Sequence, residues 1–219
     1  MSPSSFIPTV PTDFIGPAGK QAALRFYQAG KLRGTREGSL RLVLHGPPGT
    51  AKTRLAEALA LHLCGSPKGI VHGTVHVVNG QSLSIDLLRD WTRSSQFYPM
   101  STEDNPTPRT VYLVDECDAM SPAALNEWRT FSDRLKPGRD IILTTNRELK
   151  ELQAQLQTRA MAAHIGAPTE QEIAAFLFAK FGVAPAAATE LARASGGCVR
   201  AALLDAQNHL DALEMEASS

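Results

Sequence analysis

Charge imbalance is the first thing this sequence lacks. Its 22 Lys and Arg residues offset 22 Asp and Glu residues over 219 positions, a formal net charge of zero. That argues against an indiscriminate polyanion binder while leaving room for a local basic face. Cysteine is scarce: Cys64, Cys117 and Cys198 are odd in number and far apart. They offer neither a metal-ligand spacing nor a disulfide framework, so a reducing cytosol is the expected compartment. The six histidines, His45, His62, His72, His76, His164 and His209, likewise share no ligand spacing. No charged-then-apolar leader and no apolar run long enough for a bilayer is present, so no membrane partner is expected. Internal repeats and low-complexity segments are also missing. What is left is a chain able to bury one large core or two small ones.

Two stretches carry chemistry. Gly46-Pro47-Pro48-Gly49-Thr50-Ala51-Lys52-Thr53 follows an apolar run, residues 40–45, and precedes a helical pattern over residues 52–64. Leu55, Leu59 and Leu63 share one face of that helix, and Gly65 and Pro67 end it. Gly46 and Gly49 permit the backbone conformations that turn consecutive amides inward, and the helix N-terminus adds its positive dipole end. Lys52 supplies a point charge for β- and γ-phosphate oxygens, and Thr53 a hydroxyl for Mg²⁺. Ala51 stands where the commonest pattern has Gly; a methyl is tolerated there if the residue is already helical. Downstream, Val111-Tyr112-Leu113-Val114 is an apolar strand that delivers Asp115 and Glu116 at its tip. A nucleoside triphosphate with Mg²⁺ needs both a phosphate cradle and a carboxylate. The pair, in this order, predicts ATP and Mg²⁺ as cofactors and a P-loop ATPase.

Strand-like runs recur at residues 40–45, 74–79, 111–115, 140–145 and 163–166, separated by helical patterns such as 84–92 and 122–135. Apolar strands alternating with helices imply a parallel sheet covered on both faces. Prolines 3, 8, 11 and 17 make the opening stretch extended, and residues 101–108 read as a surface loop. After Pro168 the character changes. Thr169-Glu170-Gln171-Glu172 is a capping box, followed by Ile173, Phe176, Leu177 and Lys180 on a helix, then by helices over 185–195 and 198–215. The expectation is an α/β nucleotide-binding domain, residues 1–167, and a small all-helical lid, residues 168–219.

With these motifs in place the sequence resembles the AAA+ ATPases over nearly its whole length, and among them the clamp-loader group, replication factor C small subunits and their relatives. Val10-Pro11-Thr12-Asp13-Phe14-Ile15-Gly16 resembles the segment that lines the adenine pocket, which implies roles for Val10 and Ile15. Asn79-Gly80-Gln81-Ser82 resembles an Asn-led turn of clamp loaders. Asp115-Glu116-Cys117-Asp118-Ala119-Met120-Ser121-Pro122 is similar to the family's second acidic motif, Thr144-Thr145-Asn146 to its first sensor, Thr158-Arg159-Ala160 to a Ser-Arg-Cys signature, and Gly196-Gly197-Cys198-Val199-Arg200 to its second sensor. The resemblance implies a five-stranded parallel sheet. It also implies that Asp115 holds Mg²⁺, Glu116 polarises the attacking water, Asn146 orients it, and Arg200 reaches the γ-phosphate. Arg159 would reach a neighbouring subunit's nucleotide as an arginine finger.

Plainer readings stand beside these. Asn146 could cap a helix starting near Glu148, and Arg159 could be a helix C-terminal charge favoured by the dipole. Trp91 and Trp128 fit core packing, and Cys117 a buried inert thiol. Leu125, Trp128, Phe131 and Leu135 form a buried stripe that leaves Arg129 and Arg134 outside it, with Lys136 and Arg139 nearby. In clamp loaders the corresponding helix tracks primer–template phosphates; the alternative is a solvated basic face. The resemblance implies partners of three kinds: like or related AAA+ subunits, a sliding clamp, and primer–template DNA. Clamp loaders carry a helical collar beyond the lid, where this sequence ends. A protein remodeller or helicase loader therefore stays open, as does a scaffold subunit that binds nucleotide without turnover. A resemblance to Holliday-junction branch-migration motors over Asp13 to Arg33 keeps other DNA motors open too.

Overall fold

Five apolar runs form strands, and the three inner ones are buried on both faces. The computed structural model describes residues 2, 3, 5, 6, 13–16, 38–65, 74–101, 108–157 and 160–217. The strands are β1 (Arg41–His45), β2 (Val75–Asn79), β3 (Thr110–Asp115), β4 (Arg139–Thr145) and β5 (Met161–His164), all parallel and ordered β2-β3-β4-β1-β5. Successive side chains face opposite ways. Leu42, Leu44, Val111, Leu113 and Ile142 meet Leu55, Leu59 and Leu63 of α1 (Lys52–Cys64) on one side. Val43, Tyr112, Val114, Ile141 and Leu143 meet α2 (Ile85–Ser94) and α3 (Pro122–Arg134) on the other, through Leu88, Trp91, Trp128 and Phe131. Both tryptophans are core residues, as their spacing implied.

Helix starts follow local chemistry. The Ser84 and Ser121 hydroxyls accept from the amides of Leu87 and Ala124, and Pro122 sits in the first turn of α3. A four-residue helix α4 (Ala154–Gln157) precedes β5. β5 begins two residues earlier than its apolar pattern suggested, because Met161 pairs with Leu42 of β1; Met161 is half exposed on this edge strand. Three helices follow: α5 (Glu170–Phe181), α6 (Pro185–Ala194) and α7 (Val199–Ala217). The capping box of Thr169 and Glu172 is present in full. These helices share a core of their own, built from Ile173, Leu177, Val183, Ala188, Ala192, Ala202 and Ala206. Among the described residues no helix is long and apolar enough to cross a membrane.

At the end of the sheet where β3 and β4 begin, a buried ion pair joins three strands. Arg109 and Asp140 are both fully buried, with Nε–Oδ2 at 2.8 Å and Nη2–Oδ1 at 2.7 Å. Asp140 Oδ1 also accepts from the Leu40 amide at 2.7 Å, and Arg109 Nη2 donates to the Gly38 carbonyl at 3.0 Å. Arg139, expected with the basic surface group, is instead fully buried. Its guanidinium donates to the carbonyls of Ser95 and Phe97 and lies 4.3 Å from the Tyr98 ring centroid. As the first residue of a strand sandwiched between helices, it satisfies carbonyls of the loop after α2 and cannot face a polyanion.

Two outcomes follow from this packing. Asp140→Ala leaves the buried guanidinium without its carboxylate and should cost about 3–5 kcal/mol in urea unfolding. Arg109→Met/Asp140→Leu should recover only part of that, since the Leu40 amide then lacks its acceptor. The second concerns His76, which stacks on Tyr112 at 5.0 Å with 10° between planes. Burial holds its pKa below the ordinary 6.5. The unfolded chain therefore binds a proton before the folded one does, and stability falls as pH drops below about 6.5 toward the folded-state value. The urea midpoint should decline between pH 7 and pH 5, and His76→Phe, which cannot titrate, should decline less over that interval.

Candidate nucleotide site

The loop between β1 and α1 is held in shape by its own lysine. Lys52 is buried, and its ammonium donates to the carbonyls of Gly46 at 2.9 Å and Pro47 at 2.6 Å. Thr50 closes the turn by donating to the Pro47 carbonyl at 3.0 Å. Gly46 has φ 142°, and a Cβ there would come within 2.3 Å of the Ile165 carbonyl oxygen, which follows β5. Gly49, at φ 78°, leaves room for Cys198: a Cβ would lie 2.3 Å from its Sγ. The glycines thus fit the loop against the sheet on one side and the helical bundle on the other.

Ala51 departs from expectation. It is not helical but left-handed, at φ 65° and ψ 22°, and it is the N-cap of α1. Its carbonyl already accepts from the Leu55 amide at 2.9 Å. The loop needs this conformation to swing from the turn into the helix, and a methyl there costs about 1–2 kcal/mol that Gly would not. The fold holds the residue there regardless.

Asp115 is the meeting point. The Thr53 hydroxyl donates to its Oδ1 at 2.9 Å, and the Thr144 hydroxyl donates to the same oxygen. Thr144 also accepts from the Glu116 amide at 3.1 Å. Glu116 is exposed and left-handed, at φ 51°, and its Oε2 accepts from Asn79 Nδ2 at 3.0 Å. A non-glycine residue with this backbone at a cleft edge is the kind of strain that functional sites retain. Next to it Cys117 is buried, and burial reinforced by Asp118 pushes its thiol up to about 12, so it is inert. Asp118 accepts instead from Thr145, and from Arg147 at 3.0 Å.

These groups line one cavity of about 620 Å³, a size suited to a small-molecule cofactor. Its walls include Ile15, Pro48, Gly49, Thr50, Ala51, Lys52 and Thr53, then Asp115, Glu116, Thr144, Asn146 and Arg200. Gly46 and Pro47 stand behind the wall as acceptors for Lys52. Arg200 is exposed at the start of α7, where the Val199 amide donates to the Gly49 carbonyl at 3.1 Å. Arg129 and Arg134 are exposed on α3, away from the cavity. Val10 and Arg159 lie outside the described residues, as does most of the stretch from Asp13 to Arg33.

Electrostatics suits an anion. Burial lowers the Lys52 pKa from its ordinary value, with Asp115 opposing the shift. A polyphosphate beside the ammonium would compensate that desolvation. The hydroxyl of Thr53 and the carboxylate of Asp115 are hard oxygen donors side by side, which is the small protein share Mg²⁺ takes when phosphates supply other ligands. No cluster of three or more His, Cys, Asp or Glu is arranged for a metal among the described residues. Immediately before the loop, His45 packs edge-on to His164 at 5.1 Å, and burial lowers its pKa. Its Nδ1 makes no hydrogen bond and lies 3.9 Å from Glu148 Oε2.

The partners that sequence reasoning passed over are Asn79 as a hydrogen-bond donor to Glu116, and Thr144 as the bridge between Asp115 and the Glu116 backbone. Their signal is positional. Each is the first polar residue after the apolar run near its strand's end, and Val114 pairs with Leu143, which puts Asp115 beside Thr144.

Comparison with known proteins agrees with this geometry. The sequence description of the ATPase family associated with various cellular activities (AAA) matches residues 42–168. No curated protein sequence matches the chain. Among solved structures, the RuvB Holliday junction branch migration motor of Thermotoga maritima superposes with a TM-score of 0.71 at 22% identity, covering 96% of this chain and 67% of that one. A variant of the same protein gives a TM-score of 0.75 at 21% identity, with the same coverage. At this identity the likeness speaks for the fold: a five-stranded parallel P-loop sheet followed by helices. With more than half of its length matched by the family description, this chain belongs to the AAA family of ATPases.

Proposed function

We propose that the chain is an ATP-binding and ATP-hydrolysing AAA+ motor that works as an oligomer on DNA or on a DNA-bound protein. Residues 1–167 act as the nucleotide-binding body and residues 168–219 as its lid. The observation that carries this reading is the Asp115 carboxylate, shared by the hydroxyls of Thr53 and Thr144 in the same cavity as Lys52. Gly46 to Thr53 hold the phosphates, with Lys52 moving its donors from loop carbonyls to phosphate oxygens. Mg²⁺, held by Thr53 and Asp115, would supply neutralising charge to the β- and γ-phosphates. Glu116 takes the proton of the attacking water, its carboxylate aimed by Asn79, and Asn146 orients that water. Arg200, carried on α7, stabilises the transferring phosphoryl group from the lid side. Arg159 does so from a neighbouring subunit.

The family supports assembly, and the structural likeness to the RuvB Holliday junction branch migration motor supports the DNA branch. The clamp-loader motifs point within that branch to a sliding clamp on primer–template DNA. A protein remodeller or helicase loader is the alternative. Lys52→Ala should bind no ATP, whereas Glu116→Gln should bind ATP and turn over at least about a hundredfold more slowly. Specific activity should rise with protein concentration and collapse in Arg159→Ala if the finger acts in trans. A nucleotide-binding titration checks the binding outcomes, and steady-state phosphate release, with and without primer–template DNA, checks turnover. Normal turnover by Glu116→Gln would move the catalytic base elsewhere.

Arg129 and Arg134, solvent-facing on α3, are proposed to bind DNA phosphates once ATP has ordered the assembly. Removing one such cation should lower the log–log salt slope of duplex affinity by about 0.9, irrespective of sequence. Titrations of wild type and Arg129→Ala/Arg134→Ala at several salt concentrations, with a non-hydrolysable analogue, measure it. Equal slopes would make this face merely solvated and favour the remodeller.

A further inference from the structure

The turn that carries Glu116 and the loop that carries Asn146 are fastened together outside the cavity. Asp118 lies two residues past Glu116, in the single helical turn Cys117–Ala119, and Asn146 follows Thr145, the last residue of β4. Both residues flanking Asn146 donate to Asp118. Thr145 Oγ1 donates to Oδ1 at 2.6 Å, and Arg147 Nε donates to Oδ2 at 3.0 Å. The buried Thr145 hydroxyl also accepts from the Arg147 amide at 3.0 Å. A closed ring of three hydrogen bonds thus surrounds the backbone of Asn146. Glu116 and Asn146 are both exposed and line the cavity, whereas Asp118 stands outside its wall.

From this arrangement we propose that Asp118 is a positioning residue for hydrolysis: it holds Asn146 at a fixed separation from Glu116, so that both reach the attacking water. The inference rests on the nucleotide reading above and adds to it a residue that touches neither nucleotide nor water. Apolar packing of Val114, Cys117 and Leu143 secures the strand ends, but such packing is non-directional and stops at Thr145. Beyond that point the chain is an exposed loop, and its orientation depends on hydrogen bonds. A carboxylate offers acceptors on both oxygens, and here each meets a different donor beside Asn146; an amide would offer only one. The bond to the Arg147 guanidinium is charge-assisted at both ends and therefore strong for a partly exposed contact. Arg147 also offsets the like charge that Asp118 adds next to Glu116 and Asp115.

The test separates positioning from folding. ATP turnover and calorimetric ATP affinity are measured on wild type, Asp118→Asn, Thr145→Val, Thr145→Ser and Arg147→Ala, each with Asn146 present and in an Asn146→Ala background. With Asn146 present, Asp118→Asn and Thr145→Val should lower kcat about tenfold or more, while ATP affinity stays within about twofold because the phosphate loop is untouched. Thr145→Ser keeps the hydroxyl and should turn over near the wild-type rate. Arg147→Ala loses one of the two side-chain arms and should fall between. Without Asn146 the same substitutions should change kcat by less than about twofold, since the group they position is gone. Thr145→Val, matched in shape to the buried threonine, carries the test if Asp118→Asn folds poorly. Wild-type kcat in both Asp118→Asn and Thr145→Val, or equal losses with and without Asn146, would overturn the proposal while leaving the phosphate site intact. Wild type that binds no ATP, or binds it without turnover, would overturn the nucleotide reading itself, and this inference with it.

Discussion

A single carboxylate oxygen, Oδ1 of Asp115, is the constraint around which the site is organised. It accepts from Thr53 at the start of α1 and from Thr144 at the end of β4. Three elements distant in sequence are thereby fixed at one point, and each brings a neighbour: Lys52 beside Thr53, Glu116 beside Asp115, Asn146 two residues beyond Thr144. Such an arrangement is open to parallel strands because all of them end on the same side, so the residues after each strand gather at one edge. Glu116 leaves that edge in a left-handed turn stitched to Thr144 through its amide.

The opposite edge answers with the Arg109–Asp140 pair, fully buried and supplied with backbone partners on both residues. Buried ion pairs are weak stabilisers relative to apolar packing, but a broken one is costly. Here the pair sets where β3 and β4 begin, and so where Asp115 and Thr144 end. Arg139 plays a related part toward the loop after α2. The guanidiniums of Arg109 and Arg139 are interior fasteners, whereas Arg129 and Arg134 stay in solvent.

Specific contacts join the helical bundle to the site. The Gly49 carbonyl accepts from Val199, the Cys198 thiol occupies the space that a side chain at Gly49 would fill, and Asp13 pairs with Lys180.

Much of this was legible in the sequence because it is local. Alternating apolar runs, the Gly-rich turn before a helix, the Thr169–Glu172 capping box and the acidic strand tip are short-range patterns with short-range causes. They determined the five-strand parallel fold and the AAA family. They did not reach the clamp-loader subgroup through the solved relatives, whose shared feature at 20–22% identity is the fold. What only tertiary structure decided is which distant residues meet. The left-handed Ala51, Asn79 on Glu116, Arg139 in the interior and Asp118 on Thr145 all depend on contacts between segments far apart in the chain. No periodicity in the sequence encodes such contacts, because they are fixed by strand order and by the close packing of helices on both faces.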